Sequence, residues 1–117
     1  MNIEELKIYK QYVELIYYTE NIIMKFPKSE RFALSTQIKN ATYEGLRRVI
    51  ECYKAYERKE KVAALNGLDI NLKLLKVMVR VSKRKKYISV KNHTAWVKKI
   101  TNITNLMAGW MNTCAKQ

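Results

Sequence analysis

A cluster of basic residues is the feature of this sequence whose composition and spacing most clearly indicate a chemistry. The stretch VRVSKRKKYISV, residues 79–90, contains five basic residues and no acidic one. The five residues are Arg80, Lys83, Arg84, Lys85 and Lys86. A helix dipole favours a cation at the helix C-terminus by about 0.3–1 kcal/mol, which accounts for one or two of them but not for five that repel one another. We therefore predict that the cluster binds phosphate groups.

Further basic residues at helical spacing extend this cluster towards the N-terminus. Lys73, Lys76, Arg80 and Lys83 are separated by three or four residues, so they lie on one face of a helix. Nothing in the sequence resembles a base-reading motif, so binding should follow charge and shape. The predicted nucleic-acid-binding residues are Arg47, Arg48, Lys73, Lys76, Arg80, Lys83, Arg84, Lys85 and Lys86.

The overall charge favours the same class of partner. The 117 residues include 23 basic and 10 acidic residues, which gives a net charge of +13. The excess is uneven, because residues 1–25 carry −1 whereas residues 60–87 carry +6. Nucleic acid, RNA or DNA, is the expected partner of such a chain. A basic surface kept for solubility, or one that meets an acidic protein, is the alternative.

Residues that could support catalysis or bind a metal are scarce. The single histidine, His93, lies on an apolar helical seam, where a packed or hydrogen-bonded core residue is the usual interpretation. Cys52 and Cys114 do not have the spacing of metal ligands, and we expect both to be buried and reduced. No Glu-x-x-His pair or glycine-rich phosphate loop is present. We therefore expect a protein that is not an enzyme and has no catalytic residue, metal or cofactor.

Four amphipathic segments must position these residues. Apolar residues recur every three or four positions in segments of about 3–25, 29–58, 61–85 and 89–113. Only three glycines and one proline interrupt the chain. The expected fold is all-α, a single domain of residues 1–117 that forms an antiparallel up-down-up-down four-helix bundle. Gly45 is read as a close helix–helix contact, and Gly67 lies either inside the third helix or near its start.

Two further expectations concern the oligomeric state and the cellular location of the protein. Several aromatic residues exceed what one bundle core needs, so we predict a homo-oligomer. These residues are Tyr9, Tyr17, Tyr18, Trp96 and Trp110. The N-terminus does not resemble a signal peptide and no apolar run approaches the roughly 18 residues of a membrane span, so we expect a cytoplasmic protein without membrane contact.

Three motifs resemble a known group of proteins. FPKSERFALSTQIKNA, residues 26–41, is similar to the second-helix signature shared by four-helix-bundle proteins encoded in rRNA intervening sequences and by accessory variability determinants of diversity-generating retroelements. INLKLLKVMVRVSKRKKYIS, residues 70–89, and NLMAGWMN, residues 105–112, resemble the accessory variability determinants more closely, with Ala108 at the first glycine of that family's GGW ending.

The resemblance implies a function as well as a fold. It implies a basic four-helix bundle that assembles as a homopentamer and binds nucleic acid and the reverse transcriptase during mutagenic retrohoming, without being the polymerase. Arg80 falls on the basic position of the family's third-helix motif. The alternative is a protein of the rRNA intervening-sequence type, acting as a structural or protein-interaction module.

Overall fold

A computed structural model describes residues 2–116 of the chain. It contains four long helices: α1 (Lys7–Ile23), α2 (Leu34–Lys54), α3 (Arg58–Arg84) and α4 (Val90–Ala115). Short 3₁₀ turns, Ile3–Glu5 and Lys28–Glu30, precede α1 and α2. None of residues 2–116 forms a strand, and the principal extents are 46 × 25 × 23 Å. The predicted all-α fold with four helices is confirmed.

Hydrogen bonds between helices confirm the up-down-up-down topology. The hydroxyl of Tyr18, near the end of α1, donates to the carbonyl of Asn92 at the start of α4, at 3.1 Å. The hydroxyl of Tyr12 donates to the carbonyl of Thr42, at 2.6 Å, and thereby joins α1 to α2. Each helix packs against the next along the chain, and α1 also packs against α4. The four helices therefore enclose one core.

The helix ends differ from the sequence prediction by a few residues. The break between α2 and α3 lies at residues 55–57, not after Arg58, because Ala55 and Glu57 both have extended backbones. Tyr56 falls within the second predicted helical segment, residues 29–58, but it lies in this connection and its side chain is 97% exposed. At the N-terminus, Leu6 is extended, so α1 begins at Lys7 rather than at residue 3. Helical periodicity alone does not detect such short extended interruptions.

The core consists of the apolar seams that the spacing predicted. Leu65, Leu68, Leu72, Leu75 and Val79 of α3 are all buried. On α4, Trp96 is fully buried and its indole N–H donates to the Thr19 hydroxyl at 3.1 Å. The expectation that Trp96 contributes surplus apolar surface is therefore wrong, because the bundle itself encloses this side chain.

Glycines allow close contacts at two points between helices. A Cβ atom at Gly45 would lie 1.9 Å from the Tyr12 hydroxyl and 2.7 Å from the ring carbon that bears it, so the predicted close contact is confirmed. Gly67 lies inside α3, where a Cβ atom would lie 2.7 Å from Nε of Arg48. It does not mark the start of the helix.

The two cysteines are buried and are not joined by a disulfide. Burial raises the pKa of the Cys52 thiol to about 12, with a smaller contribution from nearby Cys114. The Cys52 thiol is therefore protonated and unreactive at neutral pH.

No helix within residues 2–116 is both long enough and apolar enough to cross a lipid bilayer.

Candidate nucleic-acid interface

One end of the bundle gathers most of the net positive charge. The up-down topology brings the α1–α2 connection, the C-terminus of α3 and the N-terminus of α4 together at this end. Residues 24–39 and 80–91, which we call the basic end, contain ten basic residues and one acidic residue, Glu30. The rest of the chain has thirteen basic and nine acidic residues. Nine of the thirteen net positive charges therefore belong to these two segments.

The C-terminus of α3 closes in a Schellman motif that includes part of the cluster. The backbone N–H of Lys86 donates to the carbonyl of Lys83 at 2.9 Å, and that of Tyr87 donates to the carbonyl of Ser82 at 3.0 Å. Lys86 has a φ of 64°, in the left-handed region that glycine usually occupies. The motif ends the helix abruptly and turns the chain towards α4. The five basic residues of the cluster therefore lie at or next to this turn.

Aromatic contacts hold this turn against the α1–α2 connection. The Tyr87 ring lies 5.3 Å from the buried Phe26 ring, measured between centroids. A hydrogen bond to Glu30, together with burial, raises the pKa of the Tyr87 hydroxyl. Lys85 lies 3.7 Å from the Glu30 carboxylate and 5.9 Å from the centre of the Tyr87 ring. Tyr87 and Lys85 therefore help to fix the position of the cluster.

Most of the predicted basic residues of α3 have no acidic neighbour. Arg80, Lys83, Arg84 and Lys86 are exposed, Lys76 is half-buried, and none of the five has an ion-pair partner within residues 2–116. No ion pair among residues 2–116 offsets the repulsion between these five cations. A polyanion would remove it, because each phosphate contact replaces repulsion with attraction.

His93 lies beside this electropositive surface, on α4. Its side chain is half-buried at the boundary between α3 and α4, rather than in the core as expected. Burial lowers the pKa of His93, and the positive charges of Lys83 and Arg80 lower it further. The neutral form of the imidazole is therefore favoured at neutral pH.

Lys73 lies on the same face of α3 but has an acidic partner. Its ammonium group contacts the carboxylate of Asp69, one turn earlier, at 2.6 Å. An exposed pair of this kind contributes little to stability but lowers the local positive potential. Lys73 therefore lies at the margin of the electropositive surface.

Arg47 and Arg48 are not brought together with the cluster. Arg47 pairs with Glu51 at 3.4 Å, whereas Arg48 pairs with Glu51 at 3.0 Å and with Glu44 at 3.6 Å. Arg48 lies across Gly67, which is about 25 Å along α3 from Arg84 at 1.5 Å per residue. Its Nε is buried without a hydrogen-bond partner among residues 2–116. This geometry makes Arg48 a packing residue of the α2–α3 contact.

The fold adds basic residues that the sequence analysis did not select. Lys25, Lys28 and Arg31 come from the α1–α2 connection, and Lys91 comes from the first turn of α4. All four are exposed. The up-down topology was the signal that could have identified them, because it brings these two segments to the C-terminal end of α3.

A stripe of exposed apolar residues runs along the outer face of α3. Ile70, Leu74 and Val77 are separated by four and three residues and are 67%, 49% and 47% exposed. We call these three residues the α3 apolar stripe. It was not among the residues expected to form an oligomer interface. Of those, Tyr17 is exposed, whereas Tyr9, Tyr18 and Trp110 are half-buried.

Comparison with known proteins connects this bundle to a family. A family model described as bAvd-like matches residues 6–114. Among solved structures, a protein of unknown function from the S23 ribosomal protein family of Bacteroides thetaiotaomicron superposes with a TM-score of 0.82. It is 16% identical, and the match covers 90% of this chain and 95% of that chain, a likeness that shows the fold. No curated protein matches the chain.

Proposed function

The chain belongs to the bAvd-like family, and we propose from this that it is a non-catalytic accessory protein of a diversity-generating retroelement. In this role it binds nucleic acid and the reverse transcriptase in the cytoplasm during mutagenic retrohoming. The observation that carries the proposal is the basic end, where ten basic residues accompany a single acid.

The composition of this surface favours phosphate groups as its ligand. We call Arg80, Lys83, Arg84, Lys85 and Lys86 the α3 cluster. These cations have no ion-pair partner within residues 2–116 apart from the contact of Lys85 with Glu30. Binding to a nucleic acid would release the counterions that these charges and the phosphates hold, and this release provides most of the free energy of non-specific binding. Affinity should therefore depend strongly on salt.

The backbone at Lys86 supports the same proposal. A lysine in the left-handed conformation costs about 1 kcal/mol relative to glycine. Cations near a helix C-terminus are favoured, but Lys83, Arg84 and Lys85 already satisfy that preference. The presence of Lys86 at this unfavourable position is explained if its ammonium group contacts an anionic ligand.

Recognition should depend on shape and charge rather than on base sequence. The side chains at the basic end are mainly lysines and arginines, which contact phosphates without reading bases unless they enter a groove in a fixed orientation. Structured RNA suits this kind of recognition, because its deep major groove is too narrow for side chains to reach the base edges and its phosphates remain accessible.

Self-association is a further part of the proposal. The α3 apolar stripe provides exposed apolar surface that a second copy of the chain would cover. The family implies a homopentamer, and we adopt that number from the family alone.

The experiment that tests nucleic-acid binding compares two charge-reversal variants of α3. Arg80→Glu with Arg84→Glu removes positive charge at the basic end. Arg58→Glu with Lys59→Glu makes the same change in charge at the opposite end of the same helix, where both side chains are exposed. Labelled structured RNA is titrated with each protein at several salt concentrations, and circular dichroism checks helicity.

We expect the variant at the basic end to lose affinity and to show a shallower salt dependence. Each lost phosphate contact should lower the slope of log K against log salt by about 0.7–0.9. The control variant should retain most of the affinity and the slope. Equal affinities for RNA in two folded variants would show that the basic end is not the binding surface.

A structural or protein-interaction module of the rRNA intervening-sequence type is the second candidate, which the α3 apolar stripe favours. It predicts no affinity for purified RNA at low salt and a protein complex that survives nuclease treatment. Titration of purified RNA at low salt separates the two candidates, because only the first predicts binding.

A further inference from the structure

A groove lies beside the α1–α2 connection and is part of the basic end. Its volume is about 570 Å³, and its apolar lining includes Ile23 and Phe26. Three cations, Lys28, Arg31 and Lys39, also line it, and none of the described residues that line it is acidic. The groove therefore combines apolar contact area with a positive potential.

The most exposed aromatic side chain at this end of the bundle borders the groove. Phe32 is 89% exposed, and its ring contacts no other aromatic ring among residues 2–116. Met24, on the same groove, is 81% exposed. The bundle core does not use Phe32, so its ring is available to a ligand.

The groove and the α3 cluster are connected through the α1–α2 connection. Phe26 lines the groove and also packs against Tyr87, which follows the cluster directly. Glu30, between Lys28 and Arg31, pairs with Lys85 of the cluster. A nucleic-acid strand on the α3 cluster could therefore continue into the groove across a single short segment of chain.

We infer that this groove binds an unpaired nucleotide of the nucleic acid held at the basic end, with its base stacked on Phe32 and its phosphates near Lys28, Arg31 and Lys39. The inference rests on the proposed nucleic-acid binding and adds a preference for a junction between duplex and single strand. An aromatic platform flanked by cations is the combination by which single-stranded nucleic acids are bound without regard to sequence. The absence of acids from the described lining favours a polyanion over an apolar peptide.

The test uses three labelled RNAs with the same duplex: one blunt, one with a short single-stranded extension, and one whose extension is abasic. The full-length protein should bind the extended RNA at least about fivefold more tightly than the abasic form, the lower limit expected for one base–aromatic stack. The two extensions carry the same phosphates, so their difference measures the contribution of the bases.

Variants of Phe32 connect this difference to the groove. Phe32→Ala should remove the preference for the extension with bases and leave affinity for blunt duplex unchanged, whereas Phe32→Tyr should retain the preference. Tyr56→Ala is the matched control, because it removes an aromatic side chain that is 97% exposed at the opposite end of the bundle.

Two outcomes would overturn the inference while nucleic-acid binding stands. One is equal affinity of the wild-type protein for the abasic and base-containing extensions. The other is an unchanged preference in Phe32→Ala. Loss of reverse-transcriptase binding in Phe32→Ala, with all RNA affinities retained, would assign the groove to protein docking instead. Absence of binding to all three RNAs at low salt would overturn the proposed function as well.

Discussion

At the C-terminus of α3, Lys86 adopts a backbone conformation that glycine would adopt at lower cost. Its φ of 64° completes the Schellman motif, and the two hydrogen bonds of that motif require this conformation at this position. The residue therefore has two separable effects, a conformational cost to folding and a positive charge at the basic end.

Lys86→Gly should separate these effects. We expect the free energy of unfolding to rise by about 1 kcal/mol, because glycine adopts positive φ without a steric penalty. Affinity for RNA should fall, with a loss of about 0.7–0.9 in the salt slope for one phosphate contact. Urea unfolding and RNA titration measure the two quantities.

Lys85→Gly provides the control, because Lys85 has an ordinary φ of −77° and glycine relieves no strain there. It should lower stability or leave it unchanged. Tighter RNA binding by Lys86→Gly would contradict the assignment of that side chain to a phosphate contact.

His93 makes the stability of the bundle depend on pH. Its pKa in the folded state is lowered from 6.5, mainly by burial and then by the charges of Lys83 and Arg80. The unfolded chain therefore binds the proton more tightly, and the contribution of the neutral imidazole to stability is lost as pH falls below about 6.5.

We expect the free energy of unfolding to decrease as the pH is lowered from 7.5 to 5.5. In the His93→Gln variant this decrease should be smaller. Urea denaturation of both proteins at the two pH values measures it, and glutamine keeps a polar side chain without a titrating group. A wild-type protein that is more stable at pH 5.5 would show that the sign is wrong.

At the scale of elements, the contact between α1 and α2 depends on one glycine. Tyr12 is fully buried, and its hydroxyl reaches the carbonyl of Thr42 by passing over Gly45. Glycine in the middle of a helix costs about 1 kcal/mol relative to alanine. The helix accepts this cost because a larger side chain would displace the tyrosine.

Gly45→Ala should therefore destabilise the protein although alanine favours helix. Overpacking costs about 1–3 kcal/mol, and a contact of 1.9 Å with a buried hydroxyl indicates the upper part of that range. Thermal unfolding should show a lower midpoint, and adding Tyr12→Phe should recover part of the loss.

Gly109→Ala is the matched control in α4, because its added Cβ would have no atom within 4 Å apart from the adjacent residues and the nearby backbone of its own helix. It should raise stability by up to about 1 kcal/mol. A more stable Gly45→Ala variant would mean that Tyr12 moves aside without cost.

For the whole molecule, the basic end and the α3 apolar stripe occupy different parts of the surface. The basic end lies at one end of a bundle 46 Å long, whereas the α3 apolar stripe lies on its outer face, towards the middle of the longest helix. If copies associate through this stripe with cyclic symmetry, every basic end lies on the same side of the ring. Such a ring would present several basic ends to one nucleic acid and gain affinity by multivalency.

Leu74→Glu should weaken self-association, because it introduces a charge into the centre of the stripe. We expect a smaller species in sedimentation velocity and a loss of RNA affinity larger than the same change in charge causes elsewhere. Tyr56→Glu, which makes that change at an exposed site in the α2–α3 connection, is the control. A wild-type protein that sediments as a monomer at micromolar concentration would refute self-association.

The number of helices, their core faces and their order follow from the sequence alone. The seam of Leu65, Leu68 and Leu72 repeats with the helical period, and burial of such seams leaves a bundle as the simplest solution. The boundaries were less accurate, since residues 55–57 interrupt the helices without a proline or glycine as a signal.

The candidate site was predicted only in part, for a physical reason. Local spacing determines which residues share a face of one helix, so Arg80, Lys83 and Arg84 could be selected from the sequence. Spacing within one helix also accounts for the ion pairs of Arg47, Arg48 and Lys73, whereas contacts between helices determine which segments meet. Only the tertiary structure therefore places Arg48 against Gly67, pairs Lys85 with Glu30, buries Trp96, and brings Lys28 and Arg31 to the end of α3. Helical periodicity arises from backbone geometry within a helix, whereas these relations depend on how helices pack.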